Sequence, residues 1–171
     1  MDNLSFKKIL LKSAVSVMAC DGEIHEDEIA EIKIITETTP YFHGLDCDFE
    51  LKVNIEDIKT NGMKSIDNFF CDLNNADLTD NQELLLIEVL IRIIKADKKI
   101  DKSESQFLQL VKLKLKVNDE TLIVNFPKHV DYLLELSSYG MNTEYIKEKS
   151  ISSIKLPDSF NNITIENDEK W

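Results

Sequence analysis

The stretch Met18-Ala19-Cys20-Asp21-Gly22-Glu23-Ile24-His25-Glu26-Asp27-Glu28-Ile29 decides the fold of this chain. An amphipathic helical pattern leads into it, and Gly22 can adopt the left-handed conformation that ends a helix. Three consecutive carboxylates, Glu26 to Glu28, follow where the dipole of a starting helix favours negative charge. The stretch therefore predicts the end of one helix, a tight turn and the start of the next helix.

A second copy of this pattern lies 76 residues further on, over residues 94–105. The turn residues correspond in pairs: Asp21 with Asp97, Ile24 with Ile100, and Glu28 with Glu104. The apolar helix positions on either side correspond in the same way: Leu10 with Leu86, Val17 with Ile93, and Ile32 with Leu108. The repeat predicts two related helical hairpins within one chain.

Composition favours a single helical domain. The chain has 171 residues, enough to bury a sizeable core, with 43% hydrophobic and 30% charged residues. Only four glycines and three prolines are present, which favours long regular elements over a turn-rich β architecture. We predict an all-α, compact bundle of about seven helices over residues 1–140. A C-terminal extension, 141–171, is expected to contain a short helix followed by an extended tail.

Between the two copies the helical pattern is less regular. Residues 41–54 are predicted to form an extended linker, because Phe49, Leu51 and Val53 alternate with polar residues. One helix is predicted to follow over residues 55–73. Thr79 and Gln82 form a capping box that starts the next helix, whose apolar residues on nearly every side indicate a buried central position. Asn118 is expected to cap a short helix.

The net charge of −12 restricts the partners that this chain can have. Binding to nucleic acid requires Lys and Arg against the phosphates, so nucleic acid is not expected as a partner. A basic protein or a metal cation suits the charge better. The most apolar stretch, residues 84–96, contains three charged side chains and is too short for a membrane span. With no visible secretory signal, a cytoplasmic location is expected.

The first motif is dense in carboxylates and contains no Lys or Arg. Carboxylate oxygens suit a hard divalent cation, the only cofactor that the sequence brings into question. The spacing is not that of an EF-hand, and Lys98 and Lys99 would repel a cation near the second copy. We therefore favour helix capping as the role of these acids. The candidate metal ligands are Asp21, His25, Glu28, Asp97, Asp101 and Glu104.

The same acids can serve instead as a surface for a protein partner. Four of them are candidates for direct contact: Glu23, Glu26, Asp27 and Glu31. Catalysis is not expected, because the three histidines are scattered and none lies in a recognised nucleophile motif. The chain also lacks a glycine-rich phosphate loop.

The doubled arrangement resembles the TerB-like family, named for the tellurite-resistance protein. The resemblance covers roughly residues 4–140, and the second copy departs from it by having Lys98 where glycine is usual. It implies a helical, non-catalytic module of a bacterial stress or defence system that acts through protein contact, with acidic motif residues proposed to bind divalent metal. The alternative is an acidic immunity protein or antitoxin that neutralises a basic toxin.

Overall fold

The computed structural model describes residues 1–96, 102–130 and 133, together with the backbone of residues 164–165. Over these residues the all-α prediction is confirmed, including the expected number of helices. Seven α-helices have defined bounds: α1 Asn3–Met18, α2 Glu26–Thr38, α3 Cys47–Asn61, α4 Met63–Asn75, α5 Asp80–Ile94, α6 Lys102–Lys114 and α7 Asp119–Asn125. A 3₁₀ turn, Ala19–Asp21, and a two-residue strand β1, Glu23–Ile24, connect α1 to α2. A second short strand, β2, is Thr164–Ile165.

The two predicted hairpins pack reciprocally. Helix α1 lies against α5, so the first helices of the two hairpins form the centre of the bundle. Helix α2, the second helix of the first hairpin, packs on α5, while α6 packs on α1 and on the 3₁₀ turn. Each hairpin thereby covers the first helix of the other. Helices α3 and α4 then pack against each other and against α1.

Burial matches between the two copies at the paired apolar positions of the repeat. Leu10 and Leu86 are both completely buried, and Ile32 and Leu108 are both 1% exposed. An apolar residue at these positions loses its contact with water in both hairpins, which is the main favourable term in folding. The 76-residue repeat therefore describes a structural duplication and not only a similarity of composition.

The linker predicted over residues 41–54 is wrong in its second half, where α3 begins at Cys47. The Asp46 side chain accepts a hydrogen bond from the Phe49 backbone N–H and so caps the helix. Leu51 is buried at a helical spacing from the buried residues of the following turns, whereas Phe49 is exposed. The apparent strand alternation is thus explained by two sides of one helix: Leu51 lies on the inner side, and Phe49 and Val53, four residues apart, lie on the exposed side.

The single helix predicted over residues 55–73 is also wrong, because Gly62 divides it. Gly62 has φ 51° and ψ −126°, a combination that residues with a side chain rarely adopt. Helix α3 ends before Gly62, whose N–H donates to the Ile58 carbonyl. Helix α4 begins at the next residue, Met63. The break turns α4 back so that both helices can cover α1.

The predicted helix starts at Thr79 and Asn118 are confirmed. The Thr79 hydroxyl accepts from the Gln82 N–H, and the Gln82 side chain accepts from the Thr79 N–H. Asn118 accepts from the Thr121 N–H at the start of α7. Within the described ranges, no helix is long and apolar enough to cross a membrane. The helix predicted within the C-terminal extension lies outside the described residues.

Candidate functional site

The first motif forms a tight corner between α1 and α2. Gly22 has φ 95° and closes the 3₁₀ turn through a hydrogen bond from its N–H to the Ala19 carbonyl. The Asp21 side chain accepts from the Glu23 N–H at 2.9 Å, which holds the two residues after the glycine in place. Ile24 is completely buried and fills the inside of the corner. Asp, Gly and Ile at this spacing each have a structural task.

Glu28 lies in the first turn of α2 and is only 2% exposed. Its Oε2 accepts from the backbone N–H of His25 at 2.9 Å, which satisfies a donor that the helix itself leaves open. The equivalent residue of the second hairpin, Glu104, is 5% exposed in the first turn of α6. A carboxylate is almost never buried unless it has partners, so the burial of both glutamates indicates a structural role at the start of their helices.

The structure brings some of the candidate metal ligands near one another. The His25 Nε2 lies 3.7 Å from the Asp21 Oδ2, and Glu28 contacts the backbone of His25. Among the described residues, however, no group of three or more His, Cys, Asp or Glu side chains is arranged to hold a metal ion. Asp97 and Asp101 lie outside those residues. The metal site therefore stays a prediction.

The four candidate contact residues differ in their surroundings. Glu23 and Asp27 are exposed, while Glu26 and Glu31 are half-buried. The Oε1 of Glu31 accepts from Nε of Arg92 at 2.7 Å and lies 2.6 Å from the second guanidinium nitrogen, NH2. This ion pair, in which one carboxylate oxygen contacts two nitrogens of the only arginine of the chain, connects α2 to α5. Glu31 is thereby committed to packing, which leaves Glu23 and Asp27 as the outward carboxylates.

A second link to α5, made from the turn that follows α2, lies beside this ion pair. The Tyr41 hydroxyl donates to the carboxylate of Glu88 on α5 at 3.3 Å. Burial, and then the nearby Glu88 charge, raises the pKa of Tyr41 above its ordinary value, so the hydroxyl keeps its proton at neutral pH. Both links join residues far apart in sequence, which is why the sequence pattern did not reveal them.

The sequence interpretation missed an apolar part of this surface. Ile34 on α2 is 47% exposed, and Ala30, one turn before it, is exposed as well. Asp27, Ala30 and Ile34 follow at spacings of three and four residues and so share the outer side of the helix. We call Glu23, Asp27, Ala30 and Ile34 the acidic face. The signal available in the sequence was that Ile34 lies outside the inner stripe formed by Ile29, Ile32 and Ile35.

The C-terminal extension reaches the same corner. Strand β2 pairs in parallel with β1, with Glu23 opposite Thr164 and Ile24 opposite Ile165. The alternation over residues 163–165 indicated an extended segment but not its location. A short segment from the extension therefore borders the acidic face at its N-terminal end.

Comparison with known proteins agrees with the duplicated helical architecture. The family model described as tellurite resistance protein TerB matches residues 9–124. These bounds begin within α1 and end within α7, so they span most of the first hairpin and all of the second helical pair, α5 and α6. Searches of curated proteins and of solved structures gave no significant match. The family model covers more than half of the chain, and the chain therefore belongs to the TerB family.

Proposed function

We propose that this chain is a non-catalytic helical module of a tellurite-resistance-type stress or defence system, and that it acts by binding another protein through the acidic face. The observation that carries the proposal is the combination of Asp27, Ala30 and Ile34 on one exposed side of α2. An apolar centre with charged residues at its edge is the usual composition of a protein interface.

Charge determines the kind of partner that suits this face. Glu23 and Asp27 present carboxylates to solvent on a chain with a net charge of −12. A basic partner would be attracted over long range, and its association rate would fall as salt screens the charges. Ile34 adds a contact that salt does not screen. The proposed interface thus combines electrostatic steering with a small apolar anchor.

The test is an affinity purification from the native host, in which the tagged full chain captures its partner and the affinity is then measured with purified proteins. A Glu23→Lys and Asp27→Lys double variant should weaken binding by about tenfold or more, because it replaces attraction by repulsion. Asp80→Lys with Glu120→Lys makes the same change of charge at two exposed positions in the first turns of α5 and α7. This control should bind nearly as the unaltered chain does. Equal binding by both double variants would exclude the acidic face.

The antitoxin alternative makes a different prediction from the same experiment. A captured toxin should be a basic enzyme whose activity is abolished by a stoichiometric amount of this chain. A captured stress-system protein should show no such inhibition. The identity of the adjacent gene product gives an independent and inexpensive check on which of the two partners is present.

For the motif carboxylates we propose a capping role in place of a metal site. The hydrogen bonds from the Glu23 N–H to Asp21 and from the His25 N–H to Glu28 support it. Calorimetry on the metal-stripped chain with calcium, magnesium, manganese and zinc tests the proposal. A dissociation constant below about 10⁻⁵ M for any of these ions, lost in Asp21→Asn, would contradict it.

A further inference from the structure

A second exposed surface lies on α3, away from the acidic face. Phe49 is 61% exposed and Val53, one turn later, is 46% exposed. They line a shallow, open groove that runs along the outer side of this one helix. We call its lining residues the α3 groove: Phe49, Lys52, Val53, Glu56, Asp57, Thr60 and Asn61.

The buried side of α3 is formed by other residues. Leu51, Ile55 and Ile58 face inward and bury the opposite side of α3 against the bundle. Phe49 and Val53 lie on the opposite, exposed side and are not part of that core. A phenylalanine at the centre of a protein interface is a frequent source of binding energy.

Charge around the α3 groove selects the occupant. Three carboxylates, Glu56 and Asp57 in the groove and the exposed Asp46 one turn before it, outnumber the two ammonium groups of Lys52 and the neighbouring exposed Lys59. A second copy of this chain would bring the same excess of carboxylates to face itself, which costs energy. An anionic membrane surface would be repelled for the same reason. A cationic partner is favoured over both.

The length of the α3 groove selects the form of that partner. From Phe49 to Thr60 the helix advances by about 17 Å, or three turns. An amphipathic helix of similar length can place apolar residues at spacings of three and four on Phe49 and Val53. We propose that the α3 groove is a docking site for a basic amphipathic helix of another protein.

This site is independent of the acidic face. Helix α3 packs on α1 and α4, whereas α2 packs on α5, so different helices of the bundle carry the two surfaces. A module with two such surfaces can hold two partners at the same time. Failure of either proposal leaves the other unchanged, because no residue belongs to both surfaces.

The experiment uses the full chain, isotopically labelled for NMR, and a synthetic amphipathic peptide of about 14 residues with leucine on one face and lysine on the other. Chemical shift changes should concentrate on residues 46–61. Phe49→Ser should weaken binding by about tenfold or more, whereas Val124→Ser, the loss of an exposed apolar side chain on α7, should change it by less than about twofold. A peptide with glutamate in place of lysine should not bind.

Three results would overturn the proposal. Shift changes that concentrate on α2, or that spread over the whole surface, would show that the peptide responds only to net charge. Equal affinity of Phe49→Ser and the unaltered chain would exclude the apolar anchor. A dimer seen in sedimentation and dissociated by Phe49→Ser would identify a second copy as the occupant. Since Phe49 is exposed, its variant should melt close to the unaltered chain, which a thermal scan checks in the same samples.

Discussion

Substitution of Glu83 by alanine should destabilise this fold more than loss of an ordinary surface carboxylate. Glu83 lies in the first turn of α5 and is 2% exposed. Its Oε2 accepts from the backbone N–H of Lys116 at 2.9 Å and from that of Val117 at 2.7 Å. These two donors lie in the loop between α6 and α7. One carboxylate oxygen therefore fixes the end of the second hairpin to the central helix.

The magnitude follows from these two bonds. A hydrogen bond to a charged group contributes about 1.5–3 kcal/mol, and alanine would leave both N–H groups without their acceptor. The two bonds share one oxygen, so their contributions do not add in full. Val117 is half-buried and Lys116 is exposed, so water can replace part of what is lost. We expect a decrease in the free energy of unfolding of about 2–4 kcal/mol.

Urea denaturation followed by circular dichroism measures this change. With a slope near 2 kcal/mol per molar urea, the midpoint should fall by about 1–2 M. Glu120→Ala is the control, since it removes an exposed carboxylate from the first turn of α7, and it should cost less than about 0.5 kcal/mol. Glu83→Gln keeps an acceptor oxygen and should fall between the two. A Glu83→Ala loss no larger than that of Glu120→Ala would refute the reasoning.

Three further predictions concern stability and order. Ser65→Ala should cost about 1 kcal/mol at neutral pH, because the hydrogen bond from Ser65 lowers the pKa of Asp57 below 3.8. A lowered folded-state pKa stabilises the fold above the unfolded pKa, so the deficit, measured by urea titration across pH, should shrink below about pH 4. Gly62→Ala should cost about 1–3 kcal/mol because of its positive φ, which thermal unfolding would detect, and an unchanged melting temperature would contradict the assigned backbone. Deletion of residues 161–171 should speed hydrogen exchange at Ile24, where β2 pairs with β1, and leave exchange at Leu86 unchanged; equal exchange at Ile24 in both chains would count against the pairing.

The features that the sequence predicts correctly are those whose physical cause is local. The capping box at Thr79 and the cap at Asn118 join residues three positions apart, so the residue types alone reveal them. The corner at Gly22 depends on one left-handed residue. The burial of Leu10 and Leu86 follows from helical periodicity.

The features that the sequence does not predict depend on contacts across the fold. The pair between Glu31 and Arg92 joins residues 61 positions apart, and no local pattern distinguishes Glu31 from an outward carboxylate. In the same way, the role of Glu83 depends on a loop 33 positions away. Helix α3 was missed because Phe49 is apolar but exposed, and an apolar residue outside the core misleads a periodicity argument.

Comparison of the two copies of the motif distinguishes its structural residues from those available for function. Glu28 and Glu104 are buried at equivalent positions, although the residues around them differ in charge. Both glutamates lie in the first turn of a helix that covers the other hairpin. Their burial is therefore most simply explained by this shared structural position. Function is then to be sought in what the first copy has and the second lacks. The second copy has Ser103 and Leu110 buried on α6 where the first has Asp27 and Ile34 exposed on α2. The difference between the copies, and not their similarity, therefore directs attention to the acidic face.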